Sequence, residues 1–233
     1  MKFDAPLIPG KLVKRYKRFL ADVELTDGTI VTAHTTNTGS MLGLIEAGSP
    51  VWLSESDNPK RKLKYTWEIG ASGNIAVGVN TAIPNKLVFE EISAGNIALL
   101  TGYTTIKREV KYGQNSRIDV FLQAKDKADC YVEIKSVTLS RVSGIAEFPD
   151  AVSARGTKHL QELGDMVQEG HRAVMFFLVQ RSDCTVLAPA KDIDPVYADA
   201  LKVAMTRGVE VIIYSCDVTP EGIHLDKALE LGI

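Results

Sequence analysis

The first third of the chain, residues 11–80, consists of short runs in which apolar and polar residues alternate. Alternation with a period of two is typical of β-strands that bury one face, and loops rich in Gly, Ser and Asn separate the runs. The predicted strands are 12–25, 29–34, 50–54, 64–69 and 74–79. Five short strands around a small core predict a closed, OB-like β-barrel, an architecture that often holds nucleic acid.

The hydrophobic period changes after residue 83. Residues 84–100 have apolar side chains at nearly helical spacing interrupted by Gly95, which predicts a kinked or split helix. Ser153 and Gly170 are a typical N-cap and a typical stop for a second, clearer helix. The predicted order is helix, strand, strand, strand, helix, strand, helix, strand, over 84–100, 105–111, 116–123, 130–139, 153–169, 172–179, 195–207 and 209–214. We therefore predict a mixed α/β protein in two units, 1–83 and 84–233.

Composition narrows the class of protein. Hydrophobic residues make up 45% and charged residues 24% of the chain, as in ordinary globular proteins, and no apolar run approaches the length of a membrane span. Residues 1–10 lack the basic and apolar regions of a secretory signal. Three scattered cysteines, with no CxxC pair, indicate reduced thiols and exclude a typical structural zinc site. We expect a cytoplasmic protein that does not enter a membrane.

Charge is unevenly distributed. The net charge is −2, which argues against a strongly basic, histone-like binder, yet residues 1–87 hold 11 Lys and Arg against 8 Asp and Glu. Two clusters, each with an aromatic neighbour, could neutralise phosphates while a ring stacks on a base. The alternative is an exposed strand edge protected by charge. The candidate DNA contacts are Arg15, Lys17, Arg18, Lys60, Arg61, Lys62 and Lys64.

Three residues on two predicted strands carry the candidate chemistry. Period-two alternation puts Glu133 and Lys135 on one face of their strand, and Asp119 lies on the preceding strand. If the strands pair antiparallel, Asp119 and Glu133 lie side by side and form a site for a hard cation, Mg²⁺ or Mn²⁺. Lys135 could then orient a water molecule or stabilise developing charge. The alternative is that these are ordinary outward charges on an exposed face.

The helix over 153–169 places two more polar side chains near this face. On a helical wheel His159 lies at the edge of the apolar stripe, and Arg155 and Glu162 lie on its flank. Arg155 and His159, four residues apart, could contact a phosphate or the catalytic acids. The commoner outcome for a single such histidine is a satisfied position at the edge of the core.

Six motifs occur in order along the chain, at 37–41 (NTGSM), 56–62 (SDNPKRK), 109–113 (EVKYG), 130–139 (CYVEIKSVTL), 148–152 (FPDAV) and 155–163 (RGTKHLQEL). Together they resemble the sugar fermentation stimulation protein family, SfsA, of bacteria and archaea. The match runs nearly end to end.

The resemblance implies an N-terminal OB-like β-barrel followed by a PD-(D/E)xK nuclease-like α/β domain, largely sequence-nonspecific DNA binding, and a regulatory role in maltose metabolism. It gives Asp119, Glu133 and Lys135 the positions of the metal-binding acid, the second acid and the lysine. A further acid on the first helix would be Glu90 or Glu91. A helix-turn-helix has also been discussed for the family, but residues 209–214 are strongly β-branched, and we predict a strand there.

Three functions remain open from the sequence. The leading hypothesis is a DNA-binding protein in which the OB-like unit and its basic loops deliver DNA to a nuclease-like metal site; a variant of it is a regulator that binds DNA but has lost turnover. The second is an active Mg²⁺- or Mn²⁺-dependent DNA phosphodiesterase. The third, a carbohydrate-related binding protein, rests on the family name alone, because no aromatic platform or glycosidase-like carboxylate pair is present.

Overall fold

The N-terminal unit is a closed β-barrel. In this computed structural model, which describes residues 1–113 and 116–232, the first strands are β1 (Ile8–Tyr16), β2 (Leu20–Leu25), β3 (Ile30–His34), β4 (Pro50–Glu55), β5 (Tyr65–Ser72) and β6 (Ile75–Gly78). Their order in the sheet is β3-β2-β1-β4-β5-β6, and a parallel pairing of β3 with β5 closes the barrel. Trp67, wholly buried, lies in its core with Leu12, Leu53 and Val77.

One predicted strand of this unit is a hairpin. The run over 12–25 divides into β1 and β2, which pair antiparallel around a turn at residues 17–19. Lys17 and Arg18 have φ angles of 49° and 64° in that turn. Side chains other than Gly and Asn rarely adopt this region, so the sequence carries no usual turn signal there.

The second unit is built on a mixed sheet. Its elements are α1 (Ile83–Ser93), a 3₁₀ turn (Ala98–Leu100), β7 (Thr105–Tyr112), β8 (Ser116–Ala124), β9 (Lys127–Val137), β10 (Leu139–Val142), β11 (Ile145–Phe148), α2 (Ala154–Gln168), β12 (Arg172–Val179), β13 (Val186–Pro189), α3 (Pro195–Thr206), β14 (Glu210–Thr219), β15 (Gly222–Ala228) and β16 (Glu230–Leu231). The main sheet has the order β15-β14-β12-β9-β8-β7, with parallel pairing on both sides of β12. A smaller sheet, β10-β11-β13-β16, lies beside it.

Helices cover both faces of the main sheet. Leu87 and Val88 of α1 pack with Val120 and Val132 on one face, whereas Leu160 and Leu163 of α2 pack with the opposite face and with α3. Strand β12 is covered on both sides, so its residues after Arg172 are all buried. Continuous apolar runs of this kind are typical of central parallel strands.

The predicted order of helices and strands in this unit is confirmed for every element it named. The first helix is split, as predicted, with Gly95 at φ 77° between α1 and the 3₁₀ turn. After α3, Gly208 at φ 98° ends the helix and β14 follows, so the region holds a strand instead of a recognition helix. The sequence missed β10, β11, β13, β15 and β16, most of which are too short for a period to be recognised.

The two units share several polar contacts. Met41 N donates to Asp150 Oδ2 at 3.0 Å, and Ser40 Oγ donates to the Asp150 carbonyl at 2.6 Å. Gly78 N donates to the Gln180 carbonyl at 2.9 Å. The division at residue 83 stays a prediction, and these bonds hold the two sides together.

Within the part of the chain that the structure describes, no helix is both long and apolar enough to cross a membrane.

Phe176 tests the central role of β12. Replacing this fully buried residue by Ala should lower the free energy of unfolding by about 3–5 kcal/mol, because it leaves a cavity between the sheet and α1. Urea denaturation measures the change. Val203→Ala on the exposed side of α3 is the control and should change stability by about 0.5 kcal/mol or less. Equal effects of the two substitutions would contradict this description of the core.

Candidate functional site

The site lies where strands β8 and β9 part. The two strands pair from Val120 with Val132 onward, whereas the first residues of β8 pair with β7 alone. Ile118 packs in the core beneath α2 and Val120 in the core beneath α1, although residues two apart in a regular strand share a face. The faces therefore exchange at Asp119, which leaves the regular alternation and occupies the gap between the strands.

Both oxygens of Asp119 are held. Oδ2 accepts from the backbone N–H of Ile134 at 2.7 Å, and Oδ1 accepts from the side-chain amide of Asn85 at 2.7 Å. Burial, and after it the nearby charge of Glu133, raise the pKa of Asp119 to about 6. Asp119 and Glu133 are therefore close enough to compete for ionisation, as the strand prediction required.

Glu133 is almost completely buried, with 3% of its surface exposed. Its Oε1 accepts from Lys135 Nζ at 2.7 Å and contacts Nδ1 of His159. Burial would raise the pKa of Glu133, but the hydrogen bond from His159 and the charge of Lys135 outweigh it and lower the pKa. Among the described residues its second oxygen, Oε2, has no hydrogen-bond partner.

His159 is oriented from its other side. Arg155 Nε donates to His159 Nε2 at 3.4 Å, so Nε2 is the acceptor and the ring proton lies on Nδ1, facing Glu133. The predicted candidates Glu133, Lys135, His159 and Arg155 thus lie in one continuous group of contacts, and Asp119 lies beside it, bonded to the N–H of Ile134. Their catalytic and metal-binding roles stay predictions at this point.

Helix α1 offers an amide to this group instead of an acid. Asn85 contacts Asp119, whereas Glu90 pairs with Lys86 at 3.9 Å and Glu91 accepts from Asn96 at 2.6 Å. Glu90 and Glu91 follow Asn85 by five and six residues, roughly 140° and 240° around the helix, and so point elsewhere. The expectation of a helical acid at either position is therefore not met by their placement.

Two further residues lie beside the acids: the helical wheel placed Glu162 on the flank of its helix without giving it a role, and Tyr112 was not predicted. Glu162 is buried and its Oε2 accepts from Ser116 Oγ at 2.5 Å. Tyr112 is buried, and its pKa is raised by burial and then by the charges of Glu133, Glu162 and Asp119. Its hydroxyl therefore stays protonated among three carboxylates. The exchange of faces at Asp119 brings Tyr112 and Ser116 to this side, and strand periodicity gives no signal of it.

The predicted DNA contacts divide into two groups. The half-buried Arg15 donates to the carbonyls of Arg18, Asn37 and Gly39 at 2.6–3.0 Å, and to a fourth at 3.4 Å. Arg18 donates twice to the carbonyl of Thr38. These two arginines therefore clamp the loop over 37–40, because its carbonyls lack strand partners.

The remaining basic residues are more available. Arg61 donates to Thr66 Oγ1 at 2.9 Å, and Lys64 pairs with Glu55. Lys17, Lys60 and Lys62 are exposed, and within the described residues none of these three makes an ion pair. They are the lysines of the two clusters that are free to contact an anion.

Comparison with known proteins covers both units. The model of the SfsA N-terminal OB domain matches residues 13–79, and that of the sugar fermentation stimulation protein RE domain matches residues 82–222. The chain belongs to the sugar fermentation stimulation protein family. The resemblance of the motifs is thereby confirmed, as is the mixed α/β fold class, an OB-like barrel followed by an α/β domain that matches the family's RE domain.

Relatives span the whole chain. Sugar fermentation stimulation protein homologs of Maricaulis maris and Rhodospirillum centenum are each 55% identical to it, over 100% of this chain and 99% and 100% of their own lengths. The structure of Pyrococcus furiosus SfsA, solved in complex with Ca²⁺, is 27% identical, covers 100% of this chain and 98% of that chain, and superposes with a TM-score of 0.90.

The charge of Glu133 controls the ionisation of Asp119. Glu133→Gln should lower the pKa of Asp119 from about 6 toward its ordinary 3.8, without reaching it, because burial remains. A carbon-detected NMR titration of the Asp119 carboxyl, without added cation, measures the shift. Glu109→Gln is the control, since the exposed Glu109 makes the weakest of the charge contributions and should lower the pKa less. An unchanged pKa in Glu133→Gln would contradict the coupling.

Proposed function

We propose that this protein binds DNA and holds a divalent cation, Mg²⁺ or Mn²⁺, on Asp119 and Glu133. The observation that carries the proposal is Glu133 Oε2, a buried carboxylate oxygen with no hydrogen-bond partner in the described part of the chain, next to the acid Asp119. A buried carboxylate oxygen without a hydrogen-bond partner is costly, and two neighbouring carboxylates repel each other. A cation between them removes both costs.

The donor set fits such a cation. Both groups are hard oxygen donors, which Mg²⁺ and Mn²⁺ prefer. Within residues 1–113 and 116–232, no group of three or more His, Cys, Asp and Glu side chains is arranged to hold a metal ion. Two carboxylates are enough for Mg²⁺, which usually keeps several waters and takes further ligands from phosphates. The Ca²⁺ in the Pyrococcus furiosus relative supports a divalent cation in this family.

The surrounding residues orient the two acids. Asn85 and the Ile134 N–H fix both oxygens of Asp119, and His159 fixes Glu133 Oε1. A bound cation would polarise a phosphodiester and lower the pKa of a coordinated water. Lys135 Nζ, with 14% of the side chain exposed, lies 2.7 Å from Glu133 and places a positive charge beside that position.

DNA binding is supported by the barrel and its exposed lysines. Lys17, Lys60 and Lys62 project from loops of an OB domain, a shape that tracks nucleic-acid backbones. Contacts to phosphates carry no sequence information, so binding is expected to be largely sequence-nonspecific. The regulatory role in sugar metabolism that the family name implies stays a prediction.

Phosphodiester cleavage is the second candidate function, and Lys135 is the observation that favours it. Its ammonium donates to Glu133 Oε1 at 2.7 Å, beside the position where charge would develop during attack on a phosphate. A regulator that only binds DNA has no need of a half-buried lysine ammonium beside these acids. Carbohydrate binding gains no support from the residues around the site.

Two substitutions distinguish the proposed cation binding from the proposed cleavage of DNA. Glu133→Gln should weaken Mn²⁺ binding by more than about 10-fold in calorimetry without DNA, because it removes a proposed ligand. Lys135→Ala should keep cation binding and lower plasmid cleavage by about 100-fold or more, because it removes one charge beside the reacting phosphate. Gel assays with plasmid and single-stranded DNA measure the second effect.

Glu91→Gln is the matched control, since it removes an acid of α1 that does not contact the site and should change neither quantity. A wild-type protein that binds neither Mn²⁺ nor Mg²⁺ would overturn the metal site. A wild-type protein that binds the cation and DNA but cleaves no substrate would overturn cleavage alone.

The barrel lysines have a separate test. Lys60→Gln/Lys62→Gln should weaken binding to a labelled duplex and make its salt dependence shallower by about two in slope, one for each lost phosphate contact. Fluorescence anisotropy, in a buffer that contains Ca²⁺ and over a series of salt concentrations, measures both the affinity and its salt dependence. Lys202→Gln/Lys227→Gln, on the exposed side of α3 and on β15 at the far edge of the sheet, makes the same charge change as a control. Identical curves for the two double variants would show that the barrel loop does not contact DNA.

A further inference from the structure

A cationic pair lies on the β7–β8 hairpin, outside both basic clusters of the barrel. Lys111 of β7 is directly opposite Arg117 of β8, and both side chains are exposed. Like charges directly opposite each other on neighbouring strands are destabilising. In the described residues neither side chain forms an ion pair or a hydrogen bond that would offset this cost.

The pair belongs to a locally basic surface. The described parts of β7 and β8 contain four cations, Lys107, Arg108, Lys111 and Arg117, and two acids, Glu109 and Asp119. The local balance of +2 contrasts with −2 for the whole chain. Glu109 is the one exposed acid on these two strands. In the antiparallel register of β7 and β8 it lies opposite Asp119.

Protection of a sheet edge explains only part of this arrangement. Strand β7 is the edge of the main sheet, and lysines on edge strands block pairing with other chains. Arg117 is on the part of β8 that pairs with β7 alone, so its strand borders the gap that Asp119 occupies. This position beside the gap is what edge protection alone does not explain.

The position of Arg117 relative to Asp119 indicates its role. The two residues are on one strand, two positions apart, which is about 7 Å. Ile118 between them packs in the core beneath α2, so Arg117 projects from the other face of β8. Asp119 bonds to Asn85 of α1, the helix that covers that other face, so an anion held by Lys111 and Arg117 would lie on the same side of the sheet as Asp119.

We propose that Lys111 and Arg117 contact the phosphate backbone of DNA and hold it beside Asp119. This inference rests on the proposed function, since it assumes that DNA is the ligand. A phosphate between the two side chains removes their repulsion, and the next phosphate along the strand then lies toward the acids. The β7–β8 hairpin, together with the barrel, would then determine which phosphate of the bound DNA lies at the site.

The test compares Lys111→Gln/Arg117→Gln with Lys202→Gln/Lys227→Gln in the full chain, by anisotropy of a labelled duplex in Ca²⁺. The hairpin variant should bind about 10- to 100-fold more weakly at about 0.1 M salt, with a salt slope shallower by about two. The control variant should bind like the wild type. Equal affinity and slope for the two variants would overturn the inference and leave DNA binding itself intact.

Two further measurements separate charge from folding. Thermal unfolding of the hairpin variant should be unchanged or shifted upward, because a repulsive pair has been removed. The charge-conserving Lys111→Arg/Arg117→Lys should bind DNA within about threefold of the wild type. Loss of binding in that variant would overturn the inference, because a backbone contact depends mainly on charge. A wild type that binds no duplex at any salt concentration would overturn both this inference and the proposed DNA binding.

Discussion

Two neighbouring acids, the half-buried Asp119 and the buried Glu133, set the requirements for the rest of this site. Burial and the charge of Glu133 together raise the pKa of Asp119, which records the cost of placing them close together. The surrounding groups reduce that cost by donating hydrogen bonds: a backbone N–H and Asn85 to one acid, Lys135 and His159 to the other. The ammonium of Lys135 balances one of the two negative charges, and the proposed cation would balance the other.

The parting of β8 from β9 makes this burial possible. A regular antiparallel pair would use the Ile134 N–H or its neighbours for the sheet and leave no room for a carboxylate between the strands. Here the exchange of faces at Asp119, together with the positive φ of 55° at Glu109 on the next strand, opens the sheet at one point. The same irregularity brings Tyr112 and Ser116 toward α2 and turns Lys111 and Arg117 the other way. One local departure from period two therefore organises both the polar interior of the site and the charged surface beside it.

Regular periodicity is the part of this molecule that the sequence predicts well. The barrel, the main sheet, both long helices and the adjacency of Asp119 to Glu133 follow from alternation and helical spacing, because burial enforces those periods. Asn85, Tyr112 and Glu162 could not be predicted in the same way. Their positions depend on an exchange of faces and on a helix docking angle, which leave no repeat in the sequence. Arg15 shows a different error. The sequence predicts that it is a surface cation that contacts DNA, whereas in the structure it donates to loop carbonyls.

The segment that precedes the barrel has a topological consequence. Lys2 bridges to Gly222, Phe3 N donates to the Glu221 carbonyl, and Leu7 packs in the core beneath α1. Residues 2–7 thus lie on the second unit, and the chain then forms the barrel and returns to the second unit at α1. The barrel is in effect an insertion with two short tethers, which restrict its rotation far more than a single linker would. A ligand that contacts both units therefore meets two surfaces whose relative orientation is already largely fixed, and loses less entropy when it bridges them.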